Sequence, residues 1–112
     1  MLEKMNQVVL LFDFYGELLT SRQRHIFKLY YYEDFSLGEI AELENISRQA
    51  VHDLLQRVEE VLWAYEDKLR LVSMFKEQQK KLFELKNIIS KYKEIPRNEC
   101  LKLLEELIRG EV

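Results

Sequence analysis

The chain has 112 residues, of which 47% are hydrophobic and 33% charged, a composition typical of one folded domain and unlike that of a disordered segment. Only three Gly and one Pro occur, which excludes an all-β sandwich with its frequent turns and predicts long helices. The formal net charge of −3 argues against a strongly basic nucleic-acid-binding protein.

The start of the chain predicts two helices. Apolar residues recur at helical spacing between positions 8 and 19, which predicts a first helix from about Glu3 to Leu18. Thr20 and Gln23 then form a Thr-x-x-Gln capping box, in which each side chain accepts a hydrogen bond from the backbone of the other. A second helix therefore follows, ending at about Tyr32.

Residues 36–57 predict a helix-turn-helix. Ser36 and Glu39 form a second capping box that begins a short third helix. Asn45 suits the left-handed conformation that ends a helix, and Ser47 caps the helix that follows. Seven apolar residues of this segment are expected to meet in one small core: Leu37, Ile40, Ala41, Ile46, Ala50, Val51 and Leu54.

The helix that begins after Ser47 extends far beyond this motif. A seam with alternating spacings of four and three runs along it, formed by Val51, Leu55, Val58, Leu62, Tyr65, Leu69 and Val72. No Gly or Pro occurs between Gly38 and Pro96, so one long helix or two helices joined by a bend near residues 73–79 would fit. Pro96 suits a first helical turn and starts a last short helix. We therefore expect a single all-helical domain over residues 1–112, with a helix-turn-helix core over 20–62 and a helical extension over 63–112.

The outward face of the second helix of the motif is the candidate nucleic-acid interface. A glutamine can read adenine through two hydrogen bonds, and an arginine can bind a phosphate or a guanine. The alternative is a polar face exposed to solvent, because the carboxylates of Asp53, Glu59 and Glu60 repel phosphates. The candidate interface consists of Ser47, Arg48, Gln49, His52, Gln56 and Arg57.

Three segments carry a resemblance to a known family. They are Leu19-Thr20-x-x-Gln23, Ser36-Leu37-x-Glu39-Ile40-Ala41 and Ile46-Ser47-Arg48-Gln49-Ala50-Val51. Together they resemble region 4 of the bacterial sigma factors and, more closely and over about residues 6–71, the small YlxM family. The resemblance implies an all-α helix-turn-helix protein that binds DNA as a regulator. Because the genes of that family tend to neighbour those of the signal recognition particle GTPases, it also implies a partner in that pathway, either the GTPase or the RNA.

The distribution of charge keeps a second function open. Residues 20–62 hold five basic and eight acidic residues, whereas residues 63–112 hold eleven basic and nine acidic residues. The C-terminal basic residues form either a solvated helix face or a footprint for RNA or an acidic protein. The acidic balance of the motif favours an adaptor that binds protein or RNA and keeps the helix-turn-helix only as a scaffold. Gln56, where the YlxM resemblance implies lysine, points the same way.

The aromatic residues are expected in the core, since they alternate with aliphatic residues at helical spacing. The other interpretation, a platform for stacking bases, is the weaker one. Either Tyr31 or Tyr32 is expected at the surface, and Cys100 is expected to be a small buried side chain. The aromatic set consists of Phe12, Phe14, Tyr15, Tyr30, Tyr31, Tyr32, Phe35, Trp63 and Tyr65.

Several kinds of site are not expected. Cys100 is alone, and His25 and His52 lack metal-ligand spacing, so the sequence predicts no disulfide, metal or cofactor. The sequence shows neither the arrangement of Ser, His and Asp that is typical of a catalytic triad nor a glycine-rich loop that could bind phosphate. We therefore do not expect the protein to be an enzyme. The longest apolar run, from Val8 to Phe12, is too short for a membrane span or signal peptide, and we expect a cytoplasmic protein.

Apolar residues beyond position 72 predict self-association. The last helix is too short to cover them, and exposed apolar stripes of this size usually mark an interface between proteins. We therefore expect a symmetric homodimer. It would form through the last helix and Phe75, Leu82, Phe83 and Ile89.

Overall fold

A computed structural model describes residues 2–92 and 94–110, and within these ranges the chain is all-helical, as predicted. The helices are α1 (Leu2–Tyr15), α2 (Ser21–Tyr31), α3 (Leu37–Glu44), α4 (Arg48–Leu69), α5 (Leu71–Lys91) and α6 (Arg97–Arg109). None of these described helices combines the length and the apolar character that crossing a bilayer requires. They form two compact units, an N-terminal unit that ends at Leu69 and a C-terminal unit that begins at Arg70.

Helix α4 is the central helix of the N-terminal unit. Its residues Val51, Val58 and Leu62 are completely buried, and α1, α2 and α3 all pack against it. The first part of the predicted seam therefore covers the preceding helices, as expected. Leu69, at the end of α4, is exposed.

Helix α1 ends at Tyr15, and the prediction that it continues to Leu18 is wrong. A 3₁₀ turn begins at Gly16 and closes where the Leu19 N–H donates to the Gly16 carbonyl at 3.1 Å. A Cβ atom at position 16 would lie 3.1 Å from the ring of Phe12, so glycine lets the backbone pass close to that ring. Apolar residues continue through the turn, which is why their spacing does not reveal it.

The predicted cap of α2 is confirmed. The Gln23 N–H donates to Thr20 Oγ1 at 3.1 Å, and the Thr20 N–H donates to Gln23 Oε1 at 3.0 Å. The Arg24 guanidinium donates to the carbonyls of Glu17 and Leu19 at 3.3 and 3.2 Å. Side chains of α2 thus satisfy backbone groups within the connection from α1.

The expected aromatic core is confirmed in part: Phe12 and Tyr15 are buried, five of the others are half-buried, and Trp63 is exposed. Phe12 stacks on Phe27 with ring centroids 4.2 Å apart, and Tyr32 is exposed, as one of two tyrosines was expected to be. Burial and then the Asp13 carboxylate, which accepts a hydrogen bond from the Tyr32 hydroxyl at 3.1 Å, raise the pKa of Tyr32. Placing Trp63 in the core is wrong, because its side chain is 39% exposed beside a groove along α4.

A buried polar contact joins α1 to α4. The Tyr15 hydroxyl donates to Glu66 Oε1 at 2.5 Å, and Tyr15 is 1% and Glu66 7% exposed. Tyr65, beside it on α4, donates to the Leu18 carbonyl at 3.5 Å. The Tyr15 hydroxyl supplies a hydrogen-bond donor to the buried Glu66 side chain. Without such a partner, burying that polar group away from water would cost free energy.

Two helices, not one, follow Ser47, and the predicted position of the break between them is wrong. Arg70 separates α4 from α5 in a left-handed conformation with φ 59° and ψ 24°, ahead of the bend expected at 73–79. A residue with a Cβ atom adopts that conformation at a cost of about 1 kcal/mol or more. The spacing from Leu69 to Val72 continues the apolar seam across the break, so periodicity carries no sign of it.

The C-terminal unit consists of α5 packed against α6. Val72 and Leu85 are its buried apolar residues among those described, and Lys81 Nζ lies 3.1 Å from the Glu106 carboxylate. Helix α6 has no buried residue. The expectation of a buried Cys100 is therefore wrong, since that side chain is half-buried.

Helix α6 begins one residue later than predicted. Pro96 is its N-cap, with φ −70° and ψ 86°, and the first turn starts at Arg97. At the other end, Gly110 takes φ 73° and its N–H donates to carbonyls of the last turn. Glycine suits this position because it has no Cβ atom to clash.

Candidate nucleic-acid interface

Helices α3 and α4 form the predicted helix-turn-helix, with both caps confirmed. The Glu39 N–H donates to Ser36 Oγ at 3.1 Å, and the Ser36 N–H donates to Glu39 Oε1 at 3.0 Å. The backbone hydrogen bond from Ser36, followed by its side chain, holds the pKa of Glu39 below the usual value. Asn45 ends α3 with φ 55° and ψ 46°, and the Ala50 N–H donates to Ser47 Oγ at 3.0 Å where α4 begins.

A small core fixes α4 against α2 and α3. Six of the seven predicted residues belong to it, while Ala50 is half-buried outside this cluster. Helix α2 adds Ile26 and Leu29, which the motif alone did not include. A polar contact also links α2 to α3, since His25 Nε2 lies 2.7 Å from Glu44 Oε1. The opposite face of α4 is left to solvent.

All six predicted interface residues lie on this exposed surface at the N-terminal end of α4. Ser47 is the cap, and its hydroxyl is already an acceptor for the backbone. Arg57 Nη1 lies 3.6 Å from the Glu60 carboxylate one turn further on. The exposed residues are Ser47, Arg48, Gln49, His52, Gln56 and Arg57.

Asp53 contacts two of these side chains. Gln49 Nε2 donates to Asp53 Oδ1 at 3.0 Å, and His52 Nδ1 lies 3.5 Å from the same oxygen. The sequence identified Asp53 as a charge that repels phosphate but not as a hydrogen-bond partner. The spacing of four residues between Gln49 and Asp53, one helical turn, was the available signal.

A groove runs along α4 beside the predicted interface, and sequence reasoning missed it. We call it the α4 groove; its volume is about 670 Å³. Residues from α1, α2 and α3 form its walls and eight residues of α4 form its floor. The lining consists of Lys4, Tyr30, Tyr31, Leu37, His52, Leu55, Gln56, Glu59, Glu60, Trp63, Ala64 and Asp67. The only sign of the groove in the sequence was a row of polar and aromatic residues of α4, which recur at helical spacing outside the apolar seam.

The α4 groove is acidic. Three carboxylates line it, at Glu59, Glu60 and Asp67, against the single ammonium of Lys4, whose Nζ lies 3.6 Å from Glu59 Oε1. Burial, then the Glu59 carboxylate and Tyr30, raise the pKa of the Tyr31 hydroxyl. Phosphate groups are therefore disfavoured in this groove although it adjoins the predicted interface.

Among the residues that the structure describes, no three His, Cys, Asp or Glu side chains form a group suited to a metal ion. The arrangement around α4 is one of hydrogen-bonding side chains and charges on an exposed helix face.

The chain is similar to proteins of one bacterial family. The model of the UPF0122 family, described as "Putative helix-turn-helix protein, YlxM / p13 like", matches residues 2–104. A UPF0122 protein of Thermoanaerobacter sp. strain X514 is 50% identical over 103 residues, 91% of this chain and 88% of that protein. One from Bacillus thuringiensis strain Al Hakam is 48% identical over 108 residues, 96% of each chain. One from Desulforamulus reducens is 50% identical over 91 residues, 81% of this chain and 78% of its own.

Proposed function

Because the chain belongs to the UPF0122 family of helix-turn-helix proteins, we propose that it is a non-catalytic regulator that binds duplex DNA through α4. The observation that supports this most is the exposed, hydrogen-bonding N-terminal end of α4, fixed by two caps and a core. In a helix-turn-helix that binds DNA, the N-terminal residues of the second helix contact base edges in the major groove. The resemblance to sigma factor region 4 supports the same docking.

The proposed roles follow from side-chain chemistry. Gln49 reads adenine once Asp53 releases its amide, and Arg48 binds a guanine or a phosphate. His52 and Gln56 contact the next bases along the groove, and Arg57 contacts the backbone. Few cations are available, so we expect a shallow salt dependence, with a log–log slope of about −2 to −4.

Fluorescence anisotropy with duplex DNA tests this function. The duplexes come from a library of genomic sites and are titrated at low salt. We expect Arg48→Ala and Gln49→Ala to weaken binding while helicity and unfolding midpoint stay unchanged. Arg97→Ala is the matched control, because it removes an exposed cation from the C-terminal unit. A wild-type protein that binds no duplex at low salt contradicts the proposal.

A second candidate function is an adaptor of the protein-targeting machinery, with the helix-turn-helix as scaffold. The N-terminal unit supports it, since residues 1–69 hold thirteen acidic and seven basic residues, a net charge of −6. The YlxM resemblance suggests the signal recognition particle, through its GTPase or its RNA. The same titration with that RNA and with the purified GTPase separates the candidates. Both functions place the protein in the cytoplasm.

We also propose that the protein acts as a homodimer through the C-terminal unit. Phe83 is 62%, Ile89 59% and Ile108 82% exposed, and Leu82 and Phe75 are partly exposed. Apolar surface of this extent is typical of protein interfaces. A dimer presents two copies of α4, which doubles the few cations available to DNA.

A further inference from the structure

We propose that the α4 groove is a docking site for a basic amphipathic helix of another protein, and that a docked helix excludes DNA from α4. The docking itself is independent of DNA binding. The exclusion rests on the proposed function. Four features of the groove lead to this inference: its length, the apolar residues in its lining, its charge and its overlap with the candidate interface.

The shape of the groove matches a helix. The floor runs from His52 to Asp67, a distance of about 22 Å at 1.5 Å per residue, or roughly four helical turns. Lys4 on one helix and Tyr30, Tyr31 on another stand beside it. A long, open channel of this kind is the geometry in which amphipathic helices dock with their apolar face down.

The floor of the groove offers an apolar contact. Trp63 is 39% exposed there beside Leu55 and Ala64 of the same helix, and half-buried Leu37 and Tyr30 add apolar surface from the walls. Tryptophan and tyrosine are the residues that most often dominate binding energy in protein interfaces. An apolar stripe on the incoming helix would cover Trp63.

The charge of the groove selects a basic occupant. Glu60 and Asp67 are both exposed; Lys4 lies beside Glu59 and Arg57 lies 3.6 Å from Glu60, so three carboxylates still face two cations and the groove stays negative. Lysine or arginine residues flanking the apolar stripe of a docked helix would face these carboxylates, and they can also lie over the ring of Trp63. Nucleic acid is disfavoured by the same carboxylates.

Two residues belong to both surfaces. His52 and Gln56 line the groove and are also part of the candidate nucleic-acid interface. A helix seated in the groove would cover both, so the major groove of DNA and the docked helix cannot contact α4 together. The occupant therefore acts as an antagonist of DNA binding.

The single tryptophan of the chain makes the docking measurable. Because Trp63 is the only Trp, its fluorescence reports occupancy of the groove. The probe is a synthetic 16-residue peptide of leucine and lysine patterned as an amphipathic helix, without aromatic residues. We expect a saturable blue shift of the Trp63 emission. The control peptide carries glutamate in place of each lysine and is expected to leave the emission unchanged.

Charge-reversal variants locate the docking site. Glu60→Lys combined with Asp67→Lys is expected to weaken peptide binding by about tenfold or more. The matched control, Glu42→Lys with Glu99→Lys, changes net charge equally at exposed positions outside the groove and is expected to shift the affinity by less than about twofold. Circular dichroism checks that all variants keep their helicity.

The outcomes separate docking from DNA binding. No emission change with the lysine peptide, equal binding of the glutamate peptide, or equal weakening in both double variants overturns the docking site. Displacement of labelled duplex by the lysine peptide from the wild type but not from the Glu60→Lys/Asp67→Lys variant supports the exclusion; equal displacement from both, or a ternary complex, overturns it. If no duplex binds at all, the proposed function fails, while a saturable Trp63 response still supports the docking site.

Discussion

On the scale of single residues, the Asp53 carboxylate accepts a hydrogen bond from Gln49 and lies 3.5 Å from the His52 ring nitrogen. These contacts engage two side chains that the proposed function requires for reading bases. The carboxylate also brings a negative charge to a surface that would face phosphates. If α4 binds DNA as proposed, Asp53 opposes that binding in two ways, by charge and by hydrogen bonding.

Two substitutions at Asp53 distinguish these effects. Asp53→Asn removes the charge but keeps a side-chain oxygen for Gln49, whereas Asp53→Ala removes both. We expect Asp53→Asn to tighten duplex binding by about threefold and Asp53→Ala to tighten it further. Anisotropy titrations at fixed salt measure both. Equal affinity of wild type and both variants would show that Asp53 does not face the DNA.

The serine caps allow a prediction about stability. Ser36→Ala and Ser47→Ala should each lower the free energy of unfolding by about 1 kcal/mol, because each removes the acceptor for a backbone N–H at a helix start. Urea denaturation measures the change. Ser90→Ala is the control, since its hydroxyl donates to the Lys86 carbonyl within a helix and caps nothing. Unchanged midpoints for both cap variants would contradict the prediction.

On the scale of helices, the sequence predicts those boundaries that side chains themselves specify. Ser36, Ser47 and Thr20 mark three helix starts correctly because a hydroxyl at each accepts a backbone hydrogen bond. The break at Arg70 and the turn at Gly16 are missed because the apolar spacing continues through both. Neither boundary has a side-chain cap that marks it in the sequence.

At the candidate site, too, the sequence predicts one part and misses another. The six interface residues were predicted and are exposed, because helical periodicity decides which face of α4 is buried. The α4 groove was not predicted, since its walls come from three other helices. Trp63 shows the difference: its residue type suggests a core position, and only the arrangement of neighbouring helices leaves it at the surface.

The contact between α1 and α4 supplies a prediction at this scale. Tyr15→Phe removes the hydroxyl that donates to the buried Glu66 carboxylate, so we expect a loss of about 1–3 kcal/mol in the free energy of unfolding. Tyr32→Phe is the matched control, because the hydroxyl of Tyr32 donates to Asp13 at an exposed site. Denaturation of the two variants side by side measures the difference. Equal stabilities would mean that the buried contact contributes no more than the exposed one.

On the scale of the whole molecule, charge and apolar surface are unevenly divided. Residues 70–112 hold ten basic and seven acidic residues, against the net charge of −6 for residues 1–69. The C-terminal unit also exposes Phe83, Ile89 and Ile108. The unit that carries the candidate interface is thus the acidic one, and the unit proposed to dimerise is basic.

Light scattering tests the proposed dimer. We expect a mass twice the 13.6 kDa of one chain at micromolar concentration. Leu82→Glu with Phe83→Lys should dissociate it and leave the N-terminal helices folded, because these substitutions put charges into the apolar stripe. Leu43→Lys, at an exposed residue of α3, is the control and should leave the mass unchanged. A mass near that of one chain for the wild type would contradict the dimer.

The sparse burial in the C-terminal unit has a consequence for amide hydrogen exchange. Helix α6 buries no side chain and α5 buries two, so little free energy opposes the transient opening of either helix. Amides of α6 should therefore exchange with solvent deuterium far sooner than those around Val51, Val58 and Leu62. Formation of the proposed dimer would slow exchange in α5 and α6 selectively, which makes the protection of their amides a direct, residue-by-residue measure of assembly.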